Sequence, residues 1–318
     1  MAEQKTIAVV GGTGAQGSGL VRAISNDPSG EFRARALARD PSSAGAQALS
    51  ALANVDVVAA DLDDPATVEA AFAGAYGAFC VTFFWADMST ATEFRHATTM
   101  AGAARAAGVQ HVVWSTLEDT RRFVTDDRMP TLQGKYKVPH FDGKEEADEA
   151  FRAAGVPTTF LRTAAFWENL IYFGLGPQRG QDGVLALTYP MGDSRFSGIA
   201  VEDIGKIALG IFKRGPEYLG KTVSVAGEHP TCREMASKLS RALGEEVRYN
   251  DIDPDVFRSF GFPGADEIGN MFQFKRDFEG DFVGARDLEL ARALNPELQD
   301  FDAWLARNAD RIPLSSPV

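Results

Sequence analysis

Val9-Val10-Gly11-Gly12-Thr13-Gly14-Ala15-Gln16-Gly17 follows a short apolar run and opens a helical pattern. Its glycines at 11, 14 and 17 give a G-x-x-G-x-x-G spacing. Residues without a Cβ let a tight strand-to-helix turn bring backbone N–H groups up to a pyrophosphate. The dipole of the helix behind favours the same anion. The plainer alternative is a glycine-rich turn with no ligand, and the strand before and helix after weigh against it. Gly11, Gly12, Thr13, Gly14, Ala15, Gln16 and Gly17 are therefore the candidate phosphate-binding loop.

Outward from this loop, strand and helix patterns alternate. Thr6–Val10, Phe32–Leu37, Val55–Ala60, Gly77–Val81, His111–Ser115 and Thr158–Arg162 are short, rich in Val, Ile and Phe, and read as strands. Ala15–Ser25, Ser43–Leu52, Pro65–Phe72, Thr92–Ala107 and roughly His140–Ala154 read as the helices between them. This alternation predicts an α/β protein with a Rossmann-type, doubly wound parallel sheet. Several strands are apolar throughout, as helices on both faces require. Glu118 to Pro139 is a long polar stretch, which in a compact domain points to function or disorder.

After Arg162 the alternation breaks. Val201–Phe212, Thr231–Leu243, Pro254–Ser259 and Asp300–Asn308 read as helices and Thr222–Ala226 as a strand. We expect residues 1–162 to form a dinucleotide-binding domain and 163–318 mainly a smaller α/β lobe, with a crossover back to the sheet.

Bulk properties exclude several classes. The formal net charge of −12, without basic clusters, suits neither direct nucleic-acid binding nor an anionic membrane. Two cysteines, Cys80 and Cys232, make no disulfide framework and no metal pattern, which fits a reducing cytoplasm and two buried structural thiols. The uncharged stretch Ala70–Ala86 holds Gly74 and Gly77 and is short for a membrane span, so it reads as a helix end, a turn and a buried strand.

The choice of dinucleotide is made about 20 residues past the loop, at the end of the second strand. There the chain reads Leu37-Ala38-Arg39-Asp40. Small Ala38 stands where an acid would bind the ribose hydroxyl of NAD, and the guanidinium of Arg39 suits a 2′-phosphate. NADP(H) is the cofactor this favours; Asp40 keeps NAD open if the register shifts by one. Asp61 and Leu62 close the third strand, where such folds place adenine. Thr82 and Phe83 close the fourth, beside the cofactor path. Loop-facing packing is the alternative for both pairs.

The glycine spacing matches that of atypical short-chain dehydrogenase/reductases. With Leu37-Ala38-Arg39-Asp40-Pro41, Val81-Thr82-Phe83-Phe84-Trp85, His140-Phe141-Asp142-Gly143-Lys144 and Phe166-Trp167-Glu168-Asn169-Leu170, the chain resembles the NmrA-like family of that group. Gly261-Phe262-Pro263-Gly264-Ala265 and Asn270-Met271-Phe272 extend the resemblance, which is strongest to the NADPH-sensor members. It implies NADP(H) held without obvious turnover, a conformational or monomer–dimer response to the NADPH/NADP ratio, and a protein partner regulated by it. It also implies cofactor contacts from Lys144, Thr163, Ala164, Ala165 and Phe166. Glu118–Lys137 departs from the family pattern.

Hydride-transferring relatives use a Ser, a Tyr and a Lys, with Tyr four residues before Lys on one helix face. Ser115 and Lys144 stand in the serine and lysine places, but the tyrosine place holds His140. An imidazole titrates near neutrality and is one candidate for the acid; a polar residue at a helix start is the plainer alternative. Tyr136 is eight residues from Lys144, with Pro139 between. The missing Tyr favours a redox sensor; the alternatives are an NADPH-dependent reductase of quinone-like, carbonyl or imine substrates without the usual Tyr, and a module that NADP(H) only stabilises. The aromatic residues Phe83, Phe84, Trp85, Phe166 and Trp167 either line an aromatic substrate pocket or pack a core.

Overall fold

Short apolar strands with no polar face must be covered on both sides, and the first half of the chain meets that demand. The structure, a computed structural model, describes residues 4–314. It alternates β1 (Lys5–Val9), α1 (Ala15–Ser25), β2 (Phe32–Ala38), α2 (Ala44–Ser50), β3 (Val55–Ala59), α3 (Pro65–Phe72), β4 (Gly77–Cys80), α4 (Thr90–Ala106), β5 (His111–Thr116), α5 (Pro139–Ala154) and β6 (Thr158–Arg162). The chain then forms β7 (Ala165–Phe166), α6 (Asn169–Tyr172), β8 (Gln178–Arg179), β9 (Leu185–Tyr189), β10 (Gly198–Ile199), α7 (Val201–Arg214) and β11 (Thr222–Ser224). It ends with α8 (Cys232–Leu243), β12 (Val247–Asp251), α9 (Pro254–Arg258), α10 (Ala265–Asp277), α11 (Glu279–Gly284), α12 (Leu288–Leu294) and α13 (Phe301–Asn308).

Seven strands form one parallel sheet in the order β11-β6-β5-β4-β1-β2-β3. The Rossmann-type doubly wound architecture is thus present. Alternate residues of β1 face opposite layers. Ile7 and Val9 pack with Leu20 and Ile24 of α1 and Ile204 and Ile211 of α7. Ala8 packs with Val68 and Phe72 of α3, Met100 of α4 and Phe151 of α5. A period of two is what lets one strand serve both layers. Local chemistry sets the helix ends. Asp64 caps α3 ahead of Pro65, Thr231 and Glu234 form a reciprocal capping box on α8, and Gly155 stops α5 at φ 67°.

Past β6 the chain leaves the sheet and returns to it. β11 adds to the edge beside β6, preceded by α7, which packs against α1. A second, small sheet, β12-β9-β8, carries α8 on one side, around a core that includes Trp167, Leu187, Leu239, Phe272 and Trp304. Among the described residues no helix is long and apolar enough to cross a membrane. Cys80 and Cys232 are both buried free thiols, and burial pushes both thiols well above the usual range.

The long stretch before α5 is neither free nor regular. A single 3-10 turn, Thr120–Arg122, interrupts it. The buried Asp142 carboxylate accepts from Thr120 N (2.7 Å), Thr120 Oγ1 (2.6 Å), Lys137 N (2.8 Å) and Val138 N (3.1 Å), so one side chain of α5 ties down both ends. From the lobe, Asn270 donates to the carbonyls of Pro130 and Lys137, and Gln273 to that of Arg128. Glu118 forms a buried bidentate pair with Arg286 (2.7 and 3.1 Å). The segment is loop by dihedral angle and scaffold by bonding.

Candidate cofactor and active site

The loop after β1 is built for close approach. Gly11 takes φ +62° and its carbonyl accepts from Gly14 N at 2.8 Å. A Cβ on Gly12 would lie 2.7 Å from Ala36 Cβ of β2, and a Cβ on Gly17 would collide with the Gly11 carbonyl. These two glycines press the turn and the helix together. Gly14 at the N-cap carries no capping side chain, and Thr13, Gly14 and Ala15 are exposed. The first-turn N–H groups of α1 are therefore open to an anion.

In a parallel sheet the segments after every strand emerge at one edge. Arg39 after β2, Asp61 and Leu62 after β3, Thr82 and Phe83 after β4, Ser115 near the end of β5, and Thr163 to Phe166 after β6 share that edge with the glycine loop. β1 and β4 are neighbours where the strand order reverses, which is where such folds open a ligand crevice.

Arg39 is exposed and makes no hydrogen bond or ion pair among the described residues. Asp40 is already engaged: its carboxylate accepts from Ser42 N (2.8 Å) and Ser42 Oγ (2.6 Å) in the turn before α2. Those bonds hold its carboxyl below the usual range. The pair thus offers an unspent guanidinium and a spent carboxylate, a donor set that fits a phosphate better than a ribose hydroxyl. Asp61 is exposed and accepts from Asp63 N at 3.0 Å, and Leu62 packs on the core.

Three groups meet at the end of β4. Lys144 Nζ of α5 donates to Thr82 Oγ1 (2.6 Å) and to Glu93 Oε2 of α4 (2.9 Å), and Thr82 Oγ1 donates to the same Glu93 oxygen (2.6 Å). Phe83, next along, is 62% exposed. Glu93 was not visible as a site residue, although a lone acid heading the buried stripe Ala97, Met100, Ala101 and Ala104 is a signal that could have found it. Ser115 Oγ, buried, donates to Gln16 Oε1 at 2.9 Å, which joins β5 to the first turn of α1.

His140 sits one helical turn before Lys144. Its Nδ1 lies 2.8 Å from Glu267 Oε1 of α10, and its backbone N donates to the same oxygen at 2.5 Å. The ring packs 5.0 Å from the Trp85 ring and 6.0 Å from Phe84. Its Nε2 makes no hydrogen bond within the described residues and is not sealed from solvent. Glu267, 127 residues away in sequence, leaves no local signal. Tyr136 is committed elsewhere, its hydroxyl donating to Glu146 Oε2 at 2.9 Å.

The five residues of His140-Phe141-Asp142-Gly143-Lys144 each have a separate task. Phe141 enters a core with Phe274 and Phe282. Gly143 admits Thr90 of α4, whose Cγ2 would stand 2.8 Å from an added Cβ. Phe166-Trp167-Glu168-Asn169-Leu170, in contrast, is largely architectural. Trp167 is fully buried against Phe301 and Trp304, so it does not line an open pocket. Glu168 accepts from Val201 N, at the start of α7, and from Trp304 Nε1. Thr163 is buried with its carbonyl taken by Arg286 Nη2 (2.6 Å) and Nε (3.0 Å); Ala164 is buried; Ala165 and Phe166 are half-buried and pair with Gly198 and Ile199.

Fold and loop together define a Rossmann-type protein of the dinucleotide-binding class. Residues 3–305 match the NmrA-like family, and the chain belongs to it. It is 30% identical to the NmrA-like family domain-containing oxidoreductase FrzB of Cladobotryum sp., over 89% of this chain and 87% of that one. Among solved structures, NmrA, a negative transcriptional regulator, in complex with NADP superposes with a TM-score of 0.73 at 24% identity over 96% of this chain and 95% of that one. The Citrobacter sp. triphenylmethane reductase complexed with NADP(H) gives 0.73 at 18% identity over 95% and 99%. At these identities the structural likeness speaks to the fold.

Proposed function

We propose that this chain binds NADP(H) along the carboxyl edge of its sheet and uses it to reduce a small carbonyl, quinone-like or imine substrate. The observation that carries the binding is the uncapped glycine loop facing the same edge as an unpaired Arg39. The loop and the first turn of α1 would take the pyrophosphate, and Arg39 the 2′-phosphate. Asp61 and Leu62 would flank the adenine. Thr82, Phe83, Lys144 and the run Thr163 to Phe166 would border the nicotinamide half. Bound NADPH would supply the hydride. Reduction is favoured over passive binding because His140, in the place of the missing Tyr, keeps one ring nitrogen without a hydrogen-bond partner among the described residues. The oxidoreductase names of curated relatives point the same way.

One observation favours a second reading, a redox sensor that regulates a protein partner. Glu93 neutralises Lys144, which weakens the positive field that a short-chain dehydrogenase lysine gives its acid. The test is NADPH oxidation against a panel of quinones, carbonyls and imines. Turnover supports the reductase. No turnover, with a change of mass or shape between NADPH and NADP in solution scattering, supports the sensor.

A further inference from the structure

We propose that His140 is the proton donor of this site and that Glu267 is the residue that positions it. The inference rests on the reductase reading above.

The geometry assigns a task to each nitrogen of the ring. A carboxylate oxygen can only accept, so with Glu267 Oε1 2.8 Å away the proton of the neutral imidazole belongs on Nδ1. A second proton then has one place to go, Nε2. That atom has no hydrogen-bond partner among the described residues and, though His140 is largely buried, is not fully sealed from solvent. The same oxygen accepts from His140 N. Pro139 at the first position of α5 has no N–H, so His140 N is the first amide the helix end offers. Glu267 is buried, and its side chain bonds to no residue but His140 among the described residues. The carboxylate therefore fixes both backbone and ring of one residue. Trp85, 5.0 Å from the ring, limits its rotation. A third group that orients an imidazole through one nitrogen while the other faces the reactants is the arrangement by which a histidine moves protons.

The electrophilic carbon of a carbonyl, quinone or imine receives hydride from NADPH. Its π pair moves onto the oxygen or nitrogen, which takes the proton from Nε2 of the imidazolium. Neutral His140 and NADP remain, and solvent returns a proton to Nε2. Because His140 lies on α5 and Glu267 on the lobe helix α10, the donor is assembled only when the lobe is docked on the sheet domain.

Two readouts test this. In the cofactor-free protein, nitrogen NMR of the four histidines, with His140 assigned by His140→Asn, should show the Nδ1–H tautomer for His140 above its titration. Glu267→Ala should shift it towards the Nε2–H form. In turnover, His140→Asn should lower kcat about a hundredfold. Glu267→Gln should lower kcat about tenfold with KM within about twofold, and Glu267→Asp should recover part of the loss. NADPH affinity unchanged in each variant shows that the fold is kept. An Nε2–H tautomer in the unmodified protein, or Glu267→Gln turning over at the full rate, overturns the assignment. If the unmodified protein oxidises no NADPH with any acceptor, the reductase reading itself fails, and the donor role with it.

Discussion

Two basic side chains one turn apart on α5 meet two buried carboxylates, and the outcomes are opposite. Lys144 spends its protons on Thr82 and Glu93 within the protein. His140 spends one nitrogen on Glu267 and keeps the other free. The difference lies in the chemistry of the two groups. A largely buried ammonium without a counter-charge is costly, so Glu93 offsets the burial of Lys144. An imidazole can discard its charge, so the Glu267 contact is available for orientation rather than neutralisation.

The comparison breaks most sharply at Glu93. Glu93→Ala leaves a part-buried ammonium with Thr82 and the Trp114 ring beside it but no counter-charge, and we expect a loss of about 2–4 kcal/mol in urea unfolding. If the loss is under about 1 kcal/mol, the Lys144 pair is not structural.

Lys275 of α10 supplies the intermediate case, a buried cation with no carboxylate in contact. Its ammonium has the Met271 sulfur at 3.3 Å and the rings of Phe141, Phe196 and Phe282 at 5.3–5.7 Å. Burial, helped by the Arg286 charge, pushes it down to about 7. The unfolded chain holds this proton up to about pH 10.5, whereas the folded chain releases it near 7. Stability should therefore rise with pH between those values, the cost being complete below 7 and gone above 10.5. Lys275→Met should stabilise by about 2–4 kcal/mol at pH 6, with the gain fading by pH 10.5. A destabilised variant at pH 6 would contradict this.

Glu267→Ala should cost less than Glu93→Ala, about 1–3 kcal/mol, because it removes hydrogen-bond acceptors from an imidazole and an amide rather than the counter-charge of an ammonium. Equal costs in the two variants would remove the distinction drawn between the pairs.

How much of this was legible depended on how local the physics is. The glycine loop was readable because most of its constraints, the Gly11 turn and the Gly11–Gly17 contact, act within seven residues; that Gly12 presses on Ala36 of β2 was not. Arg39 and Asp40 were readable as a pair, but not that Ser42 occupies Asp40. The His140-to-Lys144 motif stood out as sequence, yet all five of its tasks depend on partners from α4, α10, α11 or the preceding loop. α10 escaped because its buried face includes Glu267, Asn270, Gln273 and Lys275, which disrupt the apolar period that reveals helices. β12 escaped because Arg248, Asn250 and Asp251 leave it no apolar period, whereas β9 alternates cleanly, a signal that could have found it.

The account stands on the glycine loop and Arg39 taking a phosphorylated dinucleotide. Calorimetric titration of the protein and of its Arg39→Ala variant with NADPH and NADH tests that most directly. We expect NADPH to bind more tightly than NADH, and Arg39→Ala to lose about 1.5–3 kcal/mol of NADPH affinity while leaving NADH unchanged. No heat with either dinucleotide, or a preference for NADH, would contradict it.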